Sequence, residues 1–296
     1  MDERAALARI EAELPGAGDD AAVVDGLILT TDMLHDRADF PAGTTRYTAG
    51  WRAVGASLSD VAAMGAEAVG TVAAYGAPDL AWDEIAAFVA GARAVSEACD
   101  GAYVGGDLDV HDEFTVATAA LGRADDPVTR AGAAVDEAIC VTGTLGRTGA
   151  ALRLFEAGEV ERANDLFRFQ PRVAAGRAIA PFATAMMDSS DGLAVSLHQL
   201  AAASGCGMAV ETPLPIDGAV DEVATDAADR RELGCFVGED FELVCTVPVA
   251  DLDAARAACP VELTRIGTVV ADGVTLDGEA LPDRGFTHGR ARSGSA

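Results

Sequence analysis

The sequence predicts an α/β protein of two domains with mixed sheets, and three observations predict it. Short apolar runs of strand length alternate with longer runs at helical spacing along the whole chain. A charged stretch at residues 122–136, containing Pro127, interrupts that alternation near the middle. The 296 residues, half of them apolar, suffice for two cores of about 130 to 165 residues each. Residues 1–130 are expected to form the first domain and 131–296 the second.

Taken in order, residues 3–14 place Leu7, Ile10 and Leu14 at helical spacing and stop at Pro15-Gly16. Residues 21–24 and 27–31 flank Asp25-Gly26, a dipeptide that tolerates the positive φ of a tight hairpin turn. Residues 45–64 read as a longer helix ended by Gly65. Residues 67–75 alternate as a strand, 82–99 form a second helix, and 102–104 and 114–121 are strands. Beyond the linker a strand at 138–142 precedes helices near 148–157 and 172–181. A strand at 183–187, a helix at 192–203 and strands at 244–247 and 262–270 complete the pattern, and 290–296 read as a frayed tail. No repeat at solenoid periods is present.

Composition narrows the function. There are 48 acidic and 21 basic residues, a formal charge of -27, and such a surface repels phosphate backbones, so nucleic acid is disfavoured as a partner. No apolar run approaches the roughly 18 residues of a membrane span. The opening Met1-Asp2-Glu3-Arg4 has no signal-peptide character, so the cytoplasm is the expected compartment. Cys99, Cys140, Cys206, Cys235, Cys245 and Cys259 are scattered without a C-x-x-C pair and read as free thiols. Every basic residue is arginine, which rules out a P-loop or Schiff-base lysine. A lysine-free, acid-heavy chain is expected of a protein working in molar salt, where the Debye length falls to about 3 Å and self-repulsion is screened.

Chemistry is expected where strand-like runs end in aspartate: Asp32 after Leu27-Ile28-Leu29-Thr30-Thr31, Asp107 after Gly105-Gly106, and Asp188 after Ala185-Met186-Met187. Ligands of α/β proteins gather at such carboxyl ends. Asp20, Asp60 and Asp191 stand beside glycines or at helix starts, where capping is the alternative role. Hard carboxylate oxygens beside threonine and serine hydroxyls suit Mg²⁺.

These acids sit in eight ordered segments. They are Gly18-Asp19-Asp20-Ala21-Ala22-Val23, Thr30-Thr31-Asp32-Met33-Leu34, Leu58-Ser59-Asp60-Val61-Ala62-Ala63-Met64-Gly65-Ala66 and Gly105-Gly106-Asp107. After the linker come Arg130-Ala131-Gly132-Ala133, Val141-Thr142-Gly143-Thr144-Leu145-Gly146, Asp188-Ser189-Ser190-Asp191-Gly192-Leu193 and Gly238-Glu239-Asp240-Phe241-Glu242-Leu243. The set, covering residues 18–243, resembles the thiamine-monophosphate kinase family, within the group that includes aminoimidazole-ribonucleotide synthetase. The third and last segments are the most specific.

That resemblance implies ATP-dependent phosphorylation of thiamine monophosphate to thiamine diphosphate by direct in-line transfer. It implies an aminoimidazole-ribonucleotide synthetase-like fold, whose N-terminal domain pairs with its twin through a shared β-barrel into a homodimer. It also implies several Mg²⁺ ions on Asp20, Thr30, Thr31, Asp32, Asp60, Asp107, Asp188 and Asp191, with K⁺ a further candidate ion. Gly106, Asp107, Arg130 and Ser190 would contact ATP, and Glu239 the thiamine substrate. A substrate phosphate with a second pKa of about 6 is already ionised at pH 7, so no catalytic base is expected. Without lysine, Mg²⁺ must supply most of the positive charge, helped by Arg130 and Arg172.

Two positions depart from the family pattern. The substrate-contacting histidine expected seven residues after Asp32 is here Asp39, with His35 the nearest histidine. The C-terminal aromatic contact has only Phe286 as a loose match. An aminoimidazole-ribonucleotide synthetase-like ligase and a catalytically silent nucleotide- or metal-binding protein are the alternative readings. The chain lacks the early reactive cysteine of selenophosphate synthetase and the cysteine tail of the hydrogenase-maturation dehydratase.

Overall fold

Helix α1 (Glu3–Glu13) precedes a hairpin of β1 (Ala22–Val24) and β2 (Leu27–His35). The hairpin turns on Asp25 and Gly26, both at positive φ. The computed structural model describes residues 3–14 and 16–286; the stop expected at Pro15 and the tail expected at 290–296 lie outside the described residues. Thr45 caps α2 (Arg46–Ala63), its Oγ1 accepting the Thr48 N–H at 3.2 Å, and Gly65 at φ 66° ends it. Next come β3 (Glu67–Ala77), α3 (Trp82–Ala98), β4 (Tyr103–Val110) and β5 (Thr115–Arg123).

These strands form one sheet in the order β1-β2-β5-β3-β4, antiparallel except for the β3–β4 pair. Helices α2 and α3 cover its inner face, where Ile28, Val116 and Ala120 are buried. The two helices lie close because a Cβ at Gly50 would stand 2.1 Å from the Phe88 carbonyl, and one at Gly91 2.0 Å from that of Tyr47. On the outer face Leu29, Met33 and Val72 are exposed.

The connector expected at 122–136 is shorter, because β5 runs on to Arg123 before the chain reaches β6 (Ala138–Thr142). The second unit continues through α4 (Arg147–Glu156), α5 (Val160–Phe167), α6 (Val173–Ile179), β7 (Ala185–Asp188) and α7 (Leu193–Ser204). It ends with β8 (Gly207–Val210), α8 (Gly218–Val223), α9 (Ala227–Cys235), β9 (Leu243–Val247), α10 (Leu252–Ala258), β10 (Leu263–Val270), β11 (Val274–Leu276) and β12 (Glu279–Ala280). Its sheet runs β12-β11-β8-β10-β6-β9-β7, with only β8–β11 parallel. Both sheets are thus mixed, and among the described residues neither closes into a barrel.

Strands β6 and β9 are buried along their whole length, which accounts for runs that are apolar except at Thr142 and Thr246. Helix α2 belongs to the first unit yet also packs on α6 and β7 of the second. At that seam a Cβ at Gly176 would stand 2.1 Å from the Ala62 carbonyl. All six cysteines are free, and no described helix is long and apolar enough to cross a membrane.

Candidate active site

Four acids from distant parts of the chain meet at the seam between the units. Asp20 precedes β1, Asp32 lies on β2, Asp60 is near the end of α2, and Asp188 ends β7. Carboxylate oxygens of Asp20, Asp60 and Asp188 lie within 4.8 Å of one another. Asp32 adds its charge to the same pocket, repelling both Asp60 and Asp188.

Helix α2 organises this cluster. Ser57 Oγ donates to Asp32 at 2.8 Å and Ser59 Oγ donates to Asp188 at 2.6 Å. Thr30, buried on β2, donates its hydroxyl to Asp60. Neither Ser57 nor Ser59 stands out as a site residue in the sequence, although Ser59 lies inside the Leu58-Ser59-Asp60 segment; the available signal is a pair of hydroxyls just before an acid on an apolar helix.

Burial and crowding make these carboxylates hard to ionise. Burial is the main cause for Asp60, whose pKa is pushed well above the usual carboxylate range, with repulsion from Asp32, Asp188 and Asp20 added. Burial, then Asp20, lifts Asp188 to about 7. Among the described residues Arg130, in the connector, answers them within hydrogen-bonding reach, donating Nη2–H to Asp20 Oδ1 at 2.9 Å and Nε–H to Oδ2 at 3.2 Å. A crowded set of hard oxygen donors with a charge deficit of this kind fits a divalent cation such as Mg²⁺.

The other expected residues fall at different distances from this point. Thr31 lies on the outer sheet face with Leu29 and Met33, and its hydroxyl donates to the Thr118 carbonyl at 2.8 Å, so its side chain does not join the four acids. Asp107 does not join them either. The β3–β4 register pairs it with Ala74 on the outer face, and its carboxylate accepts the Leu108 N–H. Gly106 pairs with Ala73 on edge strand β4, three strand spacings or about 14 Å across the sheet from β2. Arg172 is committed to an ion pair with buried Glu242, at 2.5 and 2.7 Å, rather than to the acid pocket.

Beyond Asp188 the chain forms a second ring of contacts. The Ser190 carbonyl accepts the Glu239 N–H at 2.6 Å, and the Asp191 carbonyl accepts the Phe286 N–H at 3.1 Å. Those bonds bring Glu239 and Phe286 to the loop that follows the acid cluster. Asp39 is 3% exposed, accepts the His35 N–H at 2.6 Å and adds its charge beside Arg52, so it is buried rather than open to solvent. Arg52, unremarked in the sequence, is buried on α2 and faces Glu239.

Comparison with known proteins fits this architecture. Residues 18–124 match the AIR synthase related protein N-terminal domain family, and 134–278 the corresponding C-terminal domain family. The chain is 62% identical over 291 residues to the thiamine-monophosphate kinase of Halobacterium salinarum, covering 97% of this chain and all of that one. It is 32% identical to the Escherichia coli thiamine-monophosphate kinase, covering 97% and 95% of the two chains. Among solved structures, AaThiL complexed with AMPPCP and TMP superposes with a TM-score of 0.88 at 26% identity, covering 97% of each chain.

Proposed function

The chain belongs to the thiamine-monophosphate kinase family, and from that premise we propose that it transfers the γ-phosphoryl group of ATP to the phosphate of thiamine monophosphate, giving thiamine diphosphate and ADP. One observation carries the reading: the crowded acid pocket that takes Asp20, Asp32 and Asp60 from one unit and Asp188 from the other. Acids so placed serve phosphate transfer only as holders of cations, since bare carboxylates repel both substrates.

In this reading Asp20, Asp32, Asp60 and Asp188, with Thr30, would hold Mg²⁺, and Asp191 would hold a further ion. Mg²⁺ held there would supply the charge neutralisation that phosphoryl transfer between two anions needs. Ser57 and Ser59 fix the carboxylates of Asp32 and Asp188 in orientation. Arg130 and Ser190 face the ATP phosphates, and Gly106 and Asp107 approach the nucleotide from the edge strand. Glu239 and Phe286 contact the thiamine moiety, with Asp39 supporting that end from below. The accepting oxygen is already ionised near neutrality, so no side chain need remove a proton.

We also place the protein in the cytoplasm, as a homodimer working in concentrated salt. The exposed apolar outer face of the first sheet supports the dimer: Leu29 is 48% and Met33 56% exposed, an arrangement that a second copy would cover. Sedimentation equilibrium in molar KCl is expected to report a dimer, and Met33→Asp to shift it to monomer. An active wild-type monomer would contradict the shared interface.

The test of the reaction is a product assay with ATP, Mg²⁺ and molar KCl. Thiamine monophosphate, free thiamine and formylglycinamidine ribonucleotide are offered separately and the products resolved chromatographically. Thiamine diphosphate formed from the monophosphate alone is the expected result. Turnover of the purine precursor instead would make the protein a ligase of the same fold.

A further inference from the structure

A guanidinium with almost no access to water is costly to bury, and it persists where its surroundings use it. Arg52 is such a group, 1% exposed in the middle of α2. It leaves the first unit and enters the second. Its Nη1–H donates to the Phe167 carbonyl at 2.6 Å, and its plane lies over the Phe167 ring at 3.6 Å from the centroid. Its Nη2 stands 3.5 Å from Glu239 Oε2, and Asp240 and Asp39 add negative charge around it. Burial pulls its pKa below the arginine range while Glu239, Asp240 and Asp39 oppose that pull.

The segment it meets is held under strain. Glu239 and Phe241 both have left-handed backbones, at φ 58° and 54°, which non-glycine residues keep only when neighbouring contacts impose them. Those contacts are specific. The Glu239 and Phe241 N–H groups donate to the Ser190 and Ser189 carbonyls at 2.6 and 3.3 Å. Asp240 accepts the Gly146 and Thr148 N–H groups at 2.6 and 2.9 Å. Phe241 stacks on Phe169 with centroids 4.1 Å apart. The hydrogen bonds that fix the backbone thus come from the second unit, while from the first Ala56 packs beside the Phe241–Phe169 pair and Arg52 reaches the Glu239 carboxylate. Arg52 also stands eight residues before Asp60 on one helix, about 12 Å along its axis.

We propose that Arg52 is a positioning residue: it fixes the Glu239 carboxylate toward the thiamine substrate and ties that end of the site to the helix that carries Asp60. The assignment rests on the proposed contact between Glu239 and thiamine monophosphate. A helix holding both an acid of the cluster and the cation behind Glu239 sets the spacing between the two ends of the reaction, without Arg52 touching either substrate.

The test is a double-mutant cycle on the full-length protein, with KM for thiamine monophosphate and for ATP and the melting temperature measured for each variant. Arg52→Met is expected to raise KM for thiamine monophosphate about tenfold or more while KM for ATP moves less than about twofold. Arg52→Lys, which keeps a buried cation but loses the planar stack on Phe167, is expected to raise the same KM by a smaller factor and to lower the melting temperature less than Arg52→Met does. In a Glu239→Gln background, Arg52→Met is expected to add less than about twofold, because the two residues act in series. If both Arg52 variants lower the melting temperature but leave KM for thiamine monophosphate unchanged, Arg52 is structural only. Equal effects of Arg52→Met with and without Glu239 also overturn its role, while leaving the Glu239 contact standing. An unchanged KM in Glu239→Gln, with thiamine diphosphate still formed, removes that contact and this proposal together.

Discussion

Asp60→Asn is expected to lower kcat for thiamine diphosphate formation by about 10²- to 10³-fold or more without unfolding the protein. The two effects part company because Asp60 contributes charge rather than packing. Its carboxylate is buried against Asp20, Asp32 and Asp188, and each of those neighbours opposes its ionisation. An amide of the same shape can still accept the Thr30 hydroxyl, and it removes one of four crowded charges. The metal-free variant is therefore expected to melt at or above the wild-type temperature above about pH 7. Circular dichroism melts and steady-state assays on one preparation check both halves. A variant that turns over at the wild-type rate would take Asp60 out of the reaction, and one that is inactive because it is unfolded would make Asp60 a structural residue.

The metal-free wild-type protein is expected to melt about 5 °C or more higher near pH 5.5 than near pH 8, and Mg²⁺ is expected to close that gap at the higher pH. Burial lifts Asp188 to about 7, burial likewise lifts Asp240 to about 7, and Asp60 is raised well above the usual range. Unfolded, such carboxyls release their protons near pH 3.9. The folded chain therefore holds protons that the unfolded chain has lost. The stability this confers is complete below the unfolded value and is lost as the pH rises through about 7. Asp240 lies away from the acid cluster, capping α4 through the Gly146 and Thr148 N–H groups, so part of the slope survives in Asp60→Asn. Added Mg²⁺ offsets the repulsion in the cluster alone and gains most where the acids are ionised. Scanning calorimetry across pH, with chelator or with Mg²⁺, measures both effects. A melting temperature flat in pH and indifferent to Mg²⁺ would contradict the electrostatic description of the pocket.

Local signals made much of this structure legible in the sequence. The ends of α2 fall within a residue of expectation, because the Thr45 cap and the left-handed Gly65 act on their own few neighbours. The Asp25-Gly26 hairpin is legible for the same reason. Strand β8 and helices α5, α8 and α9 are not: each is so short that few residues mark it, and packing against the rest of the unit stabilises it. The acids at strand ends could be picked out one by one, but which of them meet depends on register. Asp32 and Asp107 each follow an apolar run, yet the β3–β4 pairing, with its irregularity between Thr71 and Val72, turns Asp107 to the outer face. Arg52 illustrates the opposite gap. A single arginine among small residues looks like the wet side of a helix, and only the second unit closing over α2 makes it a buried cation between the two units.

In the proposed reaction the γ-phosphoryl group passes in one step from ATP to the phosphate of thiamine monophosphate, with no side chain as nucleophile. This is tested most directly with ATP made chiral at the γ-phosphorus by oxygen isotopes, followed by stereochemical analysis of the thiamine diphosphate formed. A single in-line displacement predicts inversion at phosphorus. Retention would demand a phosphorylated enzyme intermediate, and with it a nucleophile among residues that this account leaves as metal holders and contacts.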